Sequence, residues 1–185
     1  FLRRAFRIIP LYMVAVTIYY VGMRVLYLEP AIIDRIWIPY TFLTGWFIFF
    51  DGVASVPYTI TWSLSVEEFS YVLIGLAALI SRRSLPAFLI LISAASLGLR
   101  YYLNTAGHAD IYHFPLARVD SIAIGGILAW RVMRGRPVIG GLIAGIVGSV
   151  LLRQLGGAFA PTFLYTLVTF LTCFAIAVSE KWLAG

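Results

Sequence analysis

The chain has 185 residues, 62% of them hydrophobic and 12% charged, with a mean hydropathy of +0.95. No water-soluble domain of this size can hide that much apolar surface, so the composition excludes the soluble globular classes and points to an integral membrane protein. A net charge of +6 invites a nucleic-acid reading, but the basic residues stand in short knots between apolar blocks and form no continuous stripe, so no nucleic-acid partner is expected.

The apolar residues fall into several long blocks divided by short polar breaks, the pattern of an all-α, polytopic transmembrane helical bundle. A transmembrane barrel would show alternating segments of about 10 residues, and the sequence has none. The chain opens Phe1-Leu2-Arg3, without a cleavable signal, and reads as a fragment of a longer protein. In chain order, hydropathy predicts spans over 8–28, 66–80, 85–103, 115–133, 137–152 and 159–178.

Between the first two lies IWIPYTFLTGWFIFF, residues 36–50. As a helix it would rise about 22 Å, short of the roughly 30 Å hydrocarbon core, and Pro39 and Gly45 interrupt it. The positive-inside rule decides how to thread it. If 36–50 does not cross, Arg3, Arg4, Arg7, Arg82, Arg83, Arg131, Arg134, Arg136 and Lys181 collect on one face, while Arg35 and Arg153 take the other. If it does cross, the segregation collapses. The expectation is therefore six spans plus one re-entrant or interfacial segment, with both ends of residues 1–185 cytoplasmic. Arg24, Arg100 and Arg118 then fall inside spans near their outer ends. Intramembrane charges point inward and pair, and Glu67, Glu68 and Asp120 are the acids at similar depth, so a polar cluster in the outer half of the bundle is expected.

Arg4 and Arg7 are three apart and share a helix face, as Arg3 and Arg7 nearly do. Pro10 suits the first turn of the helix that follows. Two readings stay open: arginines that snorkel to headgroups and set orientation, or a bidentate clamp for a polyphosphate such as that of coenzyme A.

The stretch TITWSLSVEEFSYVL puts Glu67 and Glu68 at the head of a span. Ser65-x-x-Glu68 has the form of a capping box, which accounts for Glu68. Glu67 points about 100° away on the helix; it either pairs with Arg118 or Arg100, or binds a hydroxyl substrate. Arg118 and Asp120, two residues apart, lie on different faces and are expected to find separate partners.

Gly125-Gly126 admits a close helix neighbour, and Gly141-x-x-x-Gly145 with Gly148 is the small-residue pattern of tight helix packing. Cys173 stands alone in an apolar run and is expected to do no more than pack or face lipid. His108, Asp110 and His113 in the loop NTAGHADIYH read as solvated polar residues rather than metal ligands. No metal is expected, and no glycine-rich phosphate loop or nucleophile elbow is present.

Three stretches, FLRRAFRIIPLY, WSLSVEEFSYVL and ARVDSIAIGGILAW, occur in this order with apolar spans between. Together they resemble the acyltransferase-3 family of integral membrane O-acyltransferases, with its Arg-x-x-Arg-Ile-x-Pro-x-Tyr, Trp-Ser-Leu-Ser-Val-Glu-Glu and Arg-x-Asp motifs. The likeness covers the chain through about residue 133; residues 137–185 add compatible hydropathy.

The resemblance implies transfer of an acyl group, foremost acetyl, from cytoplasmic acyl-CoA to a hydroxyl of a cell-envelope glycan or related acceptor, in a bacterial inner membrane. Acyl-CoA is then a donor substrate, and no bound cofactor is expected. Arg4 and Arg7 match the acyl-CoA-binding pair, Trp62, Ser63, Glu67 and Glu68 the central block with the glutamates in a supporting catalytic role, and Arg118 and Asp120 the later motif. Family members carry their catalytic histidine in a helix upstream of the arginine pair, and neither His108 nor His113 matches it. Residues 1–185 thus correspond to a partial membrane acyltransferase domain, with helices expected beyond both ends. The rival readings are a transporter or flippase for a lipid-linked sugar or anion, in which buried Arg and Glu line a cavity, and a structural subunit whose charges only pair between helices.

Overall fold

The computed structural model describes residues 2–26 and 34–183, with side chains described over 6–26 and 34–179. Among these residues all regular structure is helical: α1 (Leu2–Val25), α2 (Trp37–Tyr40), α3 (Thr44–Asp51), α4 (Trp62–Ile80), α5 (Leu85–Thr105), α6 (Val119–Met133), α7 (Ile139–Gln154) and α8 (Phe159–Leu183). Four segments, Phe6–Val25, Thr59–Ile80, Leu85–Thr105 and Phe159–Ser179, are long and apolar enough to cross a membrane. They make this a membrane protein of the helical class. The other two expected spans, α6 and α7, have 15 and 16 residues and rise only about 22 to 24 Å.

The interior is unusually polar for a helical protein. Among the described residues, 11 buried polar or charged side chains stand beside 14 buried hydrophobic ones and the buried Pro39, Pro57 and Pro115, while Leu11, Ile18, Leu76, Leu79, Ile90 and Leu151 face outward. That arrangement fits a lipid surround, where apolar surface is no liability and polar groups must be satisfied inside. Several hydroxyls do so within their own helix: Ser70 donates to the Val66 carbonyl at 2.7 Å, Ser93 to Leu89 at 2.8 Å and Thr162 to Ala158 at 2.7 Å.

α5 and α6 are antiparallel neighbours, as are α7 and α8, while α6 and α8 run parallel. Contacts set these directions. Arg100 meets Asp120 at one end of the first pair, and Leu89 lies under Gly126 further along. Gly145 sits beneath the Phe170 ring, where an added Cβ would come within 2.5 Å. Of the glycines expected to allow close packing, Gly145 and Gly126 do so; Gly125, Gly141 and Gly148 have nothing within 4 Å of such a Cβ. Cys173 packs in the cluster of Ile124 and Leu142.

Residues 36–50 do break into two short helices, neither of a length to cross. The break is not where Gly45 suggested. It falls at Thr41–Leu43, where Phe42 adopts a left-handed backbone (φ 59°). That conformation costs a non-glycine residue about 1–2 kcal/mol, and Phe42 is held in it by its ring stacked on Tyr12 at 4.9 Å and by Ser65 Oγ donating to its carbonyl at 2.5 Å. Gly45 lies within α3, against the loop after α5, where a Cβ would come within 2.6 Å of the His113 carbonyl.

Three local expectations are corrected. The first helix begins at Leu2, so Pro10 lies inside it, about two turns in, and deprives the Phe6 carbonyl of its intrahelical partner. The capping box is absent as well: α4 starts at Trp62, which puts Ser65 and Glu68 in the helix body, and the Ser65 hydroxyl serves Phe42 instead. Arg24, also expected to meet a buried acid, pairs at 3.1 Å with the exposed Asp34.

Gly45→Ala is expected to lower stability by about 1–3 kcal/mol, because a rigid backbone carbonyl occupies the space of the new methyl. Gly148→Ala, which meets nothing, should be neutral or stabilising by up to about 1 kcal/mol through helix propensity. Thermal unfolding of both variants in detergent distinguishes them.

Candidate functional site

The end of α5, the start of α6 and the first turns of α8 meet around one buried cation. The Arg100 side chain is 2% exposed and that of Asp120 is 0% exposed, and they pair at 2.5 Å. The guanidinium also donates from Nε to the Ala117 carbonyl at 2.8 Å, from Nη2 to the same oxygen, and from Nη1 to the Thr162 carbonyl at 2.9 Å and the Thr166 hydroxyl at 3.2 Å. The second carboxylate oxygen of Asp120 accepts from Thr166 at 3.0 Å. Such a charge is tolerable in a low-dielectric interior only because it is both paired and hydrogen-bonded.

Directly beyond this network the bundle opens into a cavity of about 200 Å³, lined by Arg100, Asn104, His108, Asp110, Ile111, Tyr112, Arg118, Pro161 and Tyr165. Arg118 sits at the start of α6 with its guanidinium 4.8 Å from the Tyr112 ring centre and 4.6 Å from that of Tyr165. Its Nη1 is buried without a hydrogen-bond partner. Asn104 donates to the Thr162 hydroxyl at 2.9 Å, tying the cavity wall to the buried network.

The Trp62 ring lies 4.6 Å from Tyr112 and edge-on to His113 at 5.1 Å. Tyr112 is therefore touched by Trp62 from the central block and by Arg118 from the later motif, residues far apart in the chain. Arg118 and Asp120 do take separate partners, as their spacing required. The expected polar cluster exists, but Asp120, and not Glu67, is the acid that holds Arg100.

Glu67 and Glu68 are half-buried on α4, Ser63 is exposed, and none of the three lines the cavity. Arg7 is exposed on α1 and likewise away from it. Arg4 belongs to the first turns of α1, but its side chain lies outside the described residues, as does that of Arg3. His108 is exposed, as expected of a solvated loop residue, and Asp110 is half-buried; both line the cavity. His113 places Nδ1 3.5 Å from Asp110 Oδ1. Among the described residues no three His, Cys, Asp or Glu side chains gather as metal ligands would.

Arg100, Asn104, Thr162, Tyr165 and Thr166 were not singled out from the sequence as site residues, although a signal was there. Ser93, Ser96, Arg100 and Asn104 recur at helical spacing along α5, and Thr162, Thr166 and Thr169 do so along α8. Two polar stripes on otherwise apolar helices belong face to face.

Breaking the pair from one side should be costly. Asp120→Ala is expected to destabilise the protein by about 3–5 kcal/mol, since it leaves an uncompensated buried cation, and Arg100→Ala/Asp120→Ala should cost less than the sum of the single changes. Denaturant unfolding in detergent of the two single variants and the double one measures the coupling.

Burial holds the His113 imidazole below its usual value near 6.5, against the opposing pull of Asp110. The unfolded chain then binds the proton more readily, so stability is full above about pH 6.5 and falls as pH drops through that value toward the lower folded one. His113→Gln is expected to flatten the decline in unfolding temperature between about pH 7.5 and 5.5.

Comparison with protein-family models, with curated proteins and with solved structures found no match to this chain.

Proposed function

We propose that the chain is the membrane core of an O-acyltransferase of the acyltransferase-3 kind, which moves an acyl group, foremost acetyl, from cytoplasmic acyl-CoA to a hydroxyl of a cell-envelope glycan or related acceptor. The observation that carries this reading is the meeting of Trp62 and Arg118 on Tyr112. Two of the three motifs behind the resemblance thus share one wall beside a polar cavity.

Chain polarity supports it further. Tyr19 stacks on Tyr58 at 4.6 Å, which holds the second half of α1 near the cavity end of the bundle and directs its arginine-bearing start toward the other. In the proposed topology α6 and α7 complete six crossings, residues 36–50 stay re-entrant or interfacial, and both ends of residues 1–185 face the cytoplasm of a bacterial inner membrane. The donor then enters beside Arg4 and Arg7, where charge-assisted bonds hold its phosphates, and the acceptor arrives from the opposite side.

Chemistry needs one proton acceptor. The histidine that the resemblance places upstream of Phe1 takes the acceptor's hydroxyl proton, with Glu67 or Glu68 as its orienting acid. The hydroxyl oxygen bonds to the thioester carbonyl carbon, the carbon–sulfur bond breaks, and the histidine returns its proton to the leaving sulfur, so that coenzyme A departs as the thiol. Half-buried Arg118 at a cavity wall also suits the second reading, a transporter or flippase for a lipid-linked sugar or anion.

Calorimetry of acetyl-CoA with the full-length protein in detergent separates the two. Saturable binding is expected in the wild type, weakened at least about tenfold in Arg4→Ala/Arg7→Ala, since each lost phosphate contact is worth about 1.5–3 kcal/mol. Equal binding in the variant, or none in a folded wild type, removes the donor-site assignment and puts the transporter ahead.

A further inference from the structure

We infer that the cleft between α6 and α7 seats an acyl chain of one anionic phospholipid, with the lipid phosphate among Arg131, Arg134 and Arg136. The inference uses the proposed crossing of α6 and α7 and is independent of the acyl-transfer chemistry. α6 and α7 are joined by a short turn yet hardly touch, because each packs on α8 instead. The wedge left between them is a cleft of about 190 Å³, walled by Ile127 and Leu128 of α6, by Gly141 and Leu142 of α7 and by Phe170 of α8, with Arg131 in its lining. Gly141 belongs to the small-residue pattern that predicted a tight helix neighbour, but it is exposed and an added Cβ there meets nothing within 4 Å. The bundle leaves this space unfilled.

An α-helix with its side chains is about 10 Å across, so the cleft admits a single side chain or one acyl chain and not a further helix. The charges choose between them. Arg131 lies in the last turn of α6, fixed at the mouth by Nη2 donating to the Pro137 carbonyl at 2.9 Å. Arg134 and Arg136 are exposed on the turn that follows and rest over Trp130 at 4.5 and 5.7 Å. None of the three meets an acid among the described residues. Glu67, Glu68, Asp110 and Asp120 stand toward the opposite end of the bundle, and Asp34 and Asp51 are taken by Arg24 and Arg35. Three cations without a counter-charge beside an apolar slot suit a molecule with a phosphate at one end and hydrocarbon at the other. Trp130, at the same level, is of the residue type that marks the boundary between headgroups and tails.

The test titrates the full-length protein, in a neutral maltoside detergent, with dioctanoyl phosphatidylglycerol and with dioctanoyl phosphatidylcholine, and counts bound lipid by native mass spectrometry. Three variants accompany the wild type. Arg131→Gln removes the charge at the mouth, Gly141→Leu fills the slot, and Arg83→Gln removes an exposed charge from the same end of the bundle but outside the cleft. The expected result is one saturable phosphatidylglycerol, held at least about tenfold tighter than phosphatidylcholine and weakened about fivefold in Arg131→Gln by the loss of one charge at the membrane surface. Gly141→Leu should weaken it as much, whereas Arg83→Gln should leave it unchanged, all with unfolding temperatures within a few degrees of the wild type. If a variant unfolds, the wild type alone decides: phosphatidylglycerol with a diazirine in its acyl chain should crosslink to residues 124–142 or to Phe170, and excess unlabelled lipid should abolish the crosslink.

Equal affinity for the two lipids, or no saturable binding in a folded wild type, would overturn the inference. Equal losses in Arg131→Gln and Arg83→Gln would replace it with diffuse attraction to the whole arginine-rich end. Unchanged binding in Gly141→Leu, or crosslinks elsewhere, would remove the acyl chain from the cleft. Acetyl-CoA serves as the last competitor. Displacement of the lipid by it would overturn the inference and assign these arginines to the donor phosphates, whereas lipid binding that acetyl-CoA leaves intact upholds the lipid site whether or not the protein transfers acyl groups.

Discussion

One buried guanidinium organises the bundle. Arg100 donates to carbonyl oxygens of Ala117 and Thr162 and to the Asp120 carboxylate, so a single side chain on α5 joins the turn before α6, the body of α6 and the first turns of α8. In a lipid surround, apolar contacts between helices bring little driving force, because the tails are as apolar as the side chains they replace. Directional polar contacts must then select the arrangement. A helix rotated by one residue would bury the cation without its acid, at a cost that exceeds any packing gain.

Around that constraint, small residues decide how near the elements come. Gly126 admits Leu89, Gly145 admits Phe170, and Gly45 admits the backbone of His113. The last of these seats α3 against the loop after α5, where Phe49 stacks on Phe114 at 4.0 Å and Trp46 meets the same ring edge-on at 5.2 Å. This aromatic layer closes one side of the cavity end. On the far side of the same segment, Tyr12 donates from its hydroxyl to the Pro39 carbonyl at 2.6 Å and stacks on Phe42, so α1 is attached mainly through residues 37–42 and Tyr58. Its remaining surface, with Leu11, Val14 and Ile18 exposed, is left to lipid or to further helices.

The proposed chemistry uses the two ends of the bundle differently. Arginine knots at Arg82-Arg83 and at Arg131, Arg134 and Arg136 lie at the ends of α4 and α6, away from the cavity; Arg134 and Arg136 rest over Trp130 at 4.5 and 5.7 Å, an aromatic–cation pairing natural to an interface. The cavity end instead carries matched charges and hydrogen-bonding groups. A donor rich in phosphate suits the first environment, and the acceptor of the proposed reaction would meet the second. A membrane acyltransferase whose two substrates come from opposite sides needs that kind of difference.

The class of the protein was legible in the sequence because hydropathy, length and charge segregation are local properties. They predicted helices, a membrane, a broken segment at 36–50 and unpaired-looking charges at 100, 118 and 120 that had to be satisfied within the bundle. Local signals also misled where a second element intervened. Pro10 resembles a helix start and Ser65-x-x-Glu68 a cap, but the helix boundaries lie several residues earlier, and Ser65 is occupied by Phe42. Only the tertiary structure chose Asp120 over Glu67 for Arg100, set the loop residues His108 and Asp110 at the rim of a cavity, and brought Trp62, Tyr112, Arg118 and Tyr165 together. A polar stripe announces that a helix needs a partner. Which partner it finds depends on contacts between residues as far apart as Arg100 and Asp120, 20 positions, or Arg100 and Thr166, 66 positions, and no local pattern encodes those.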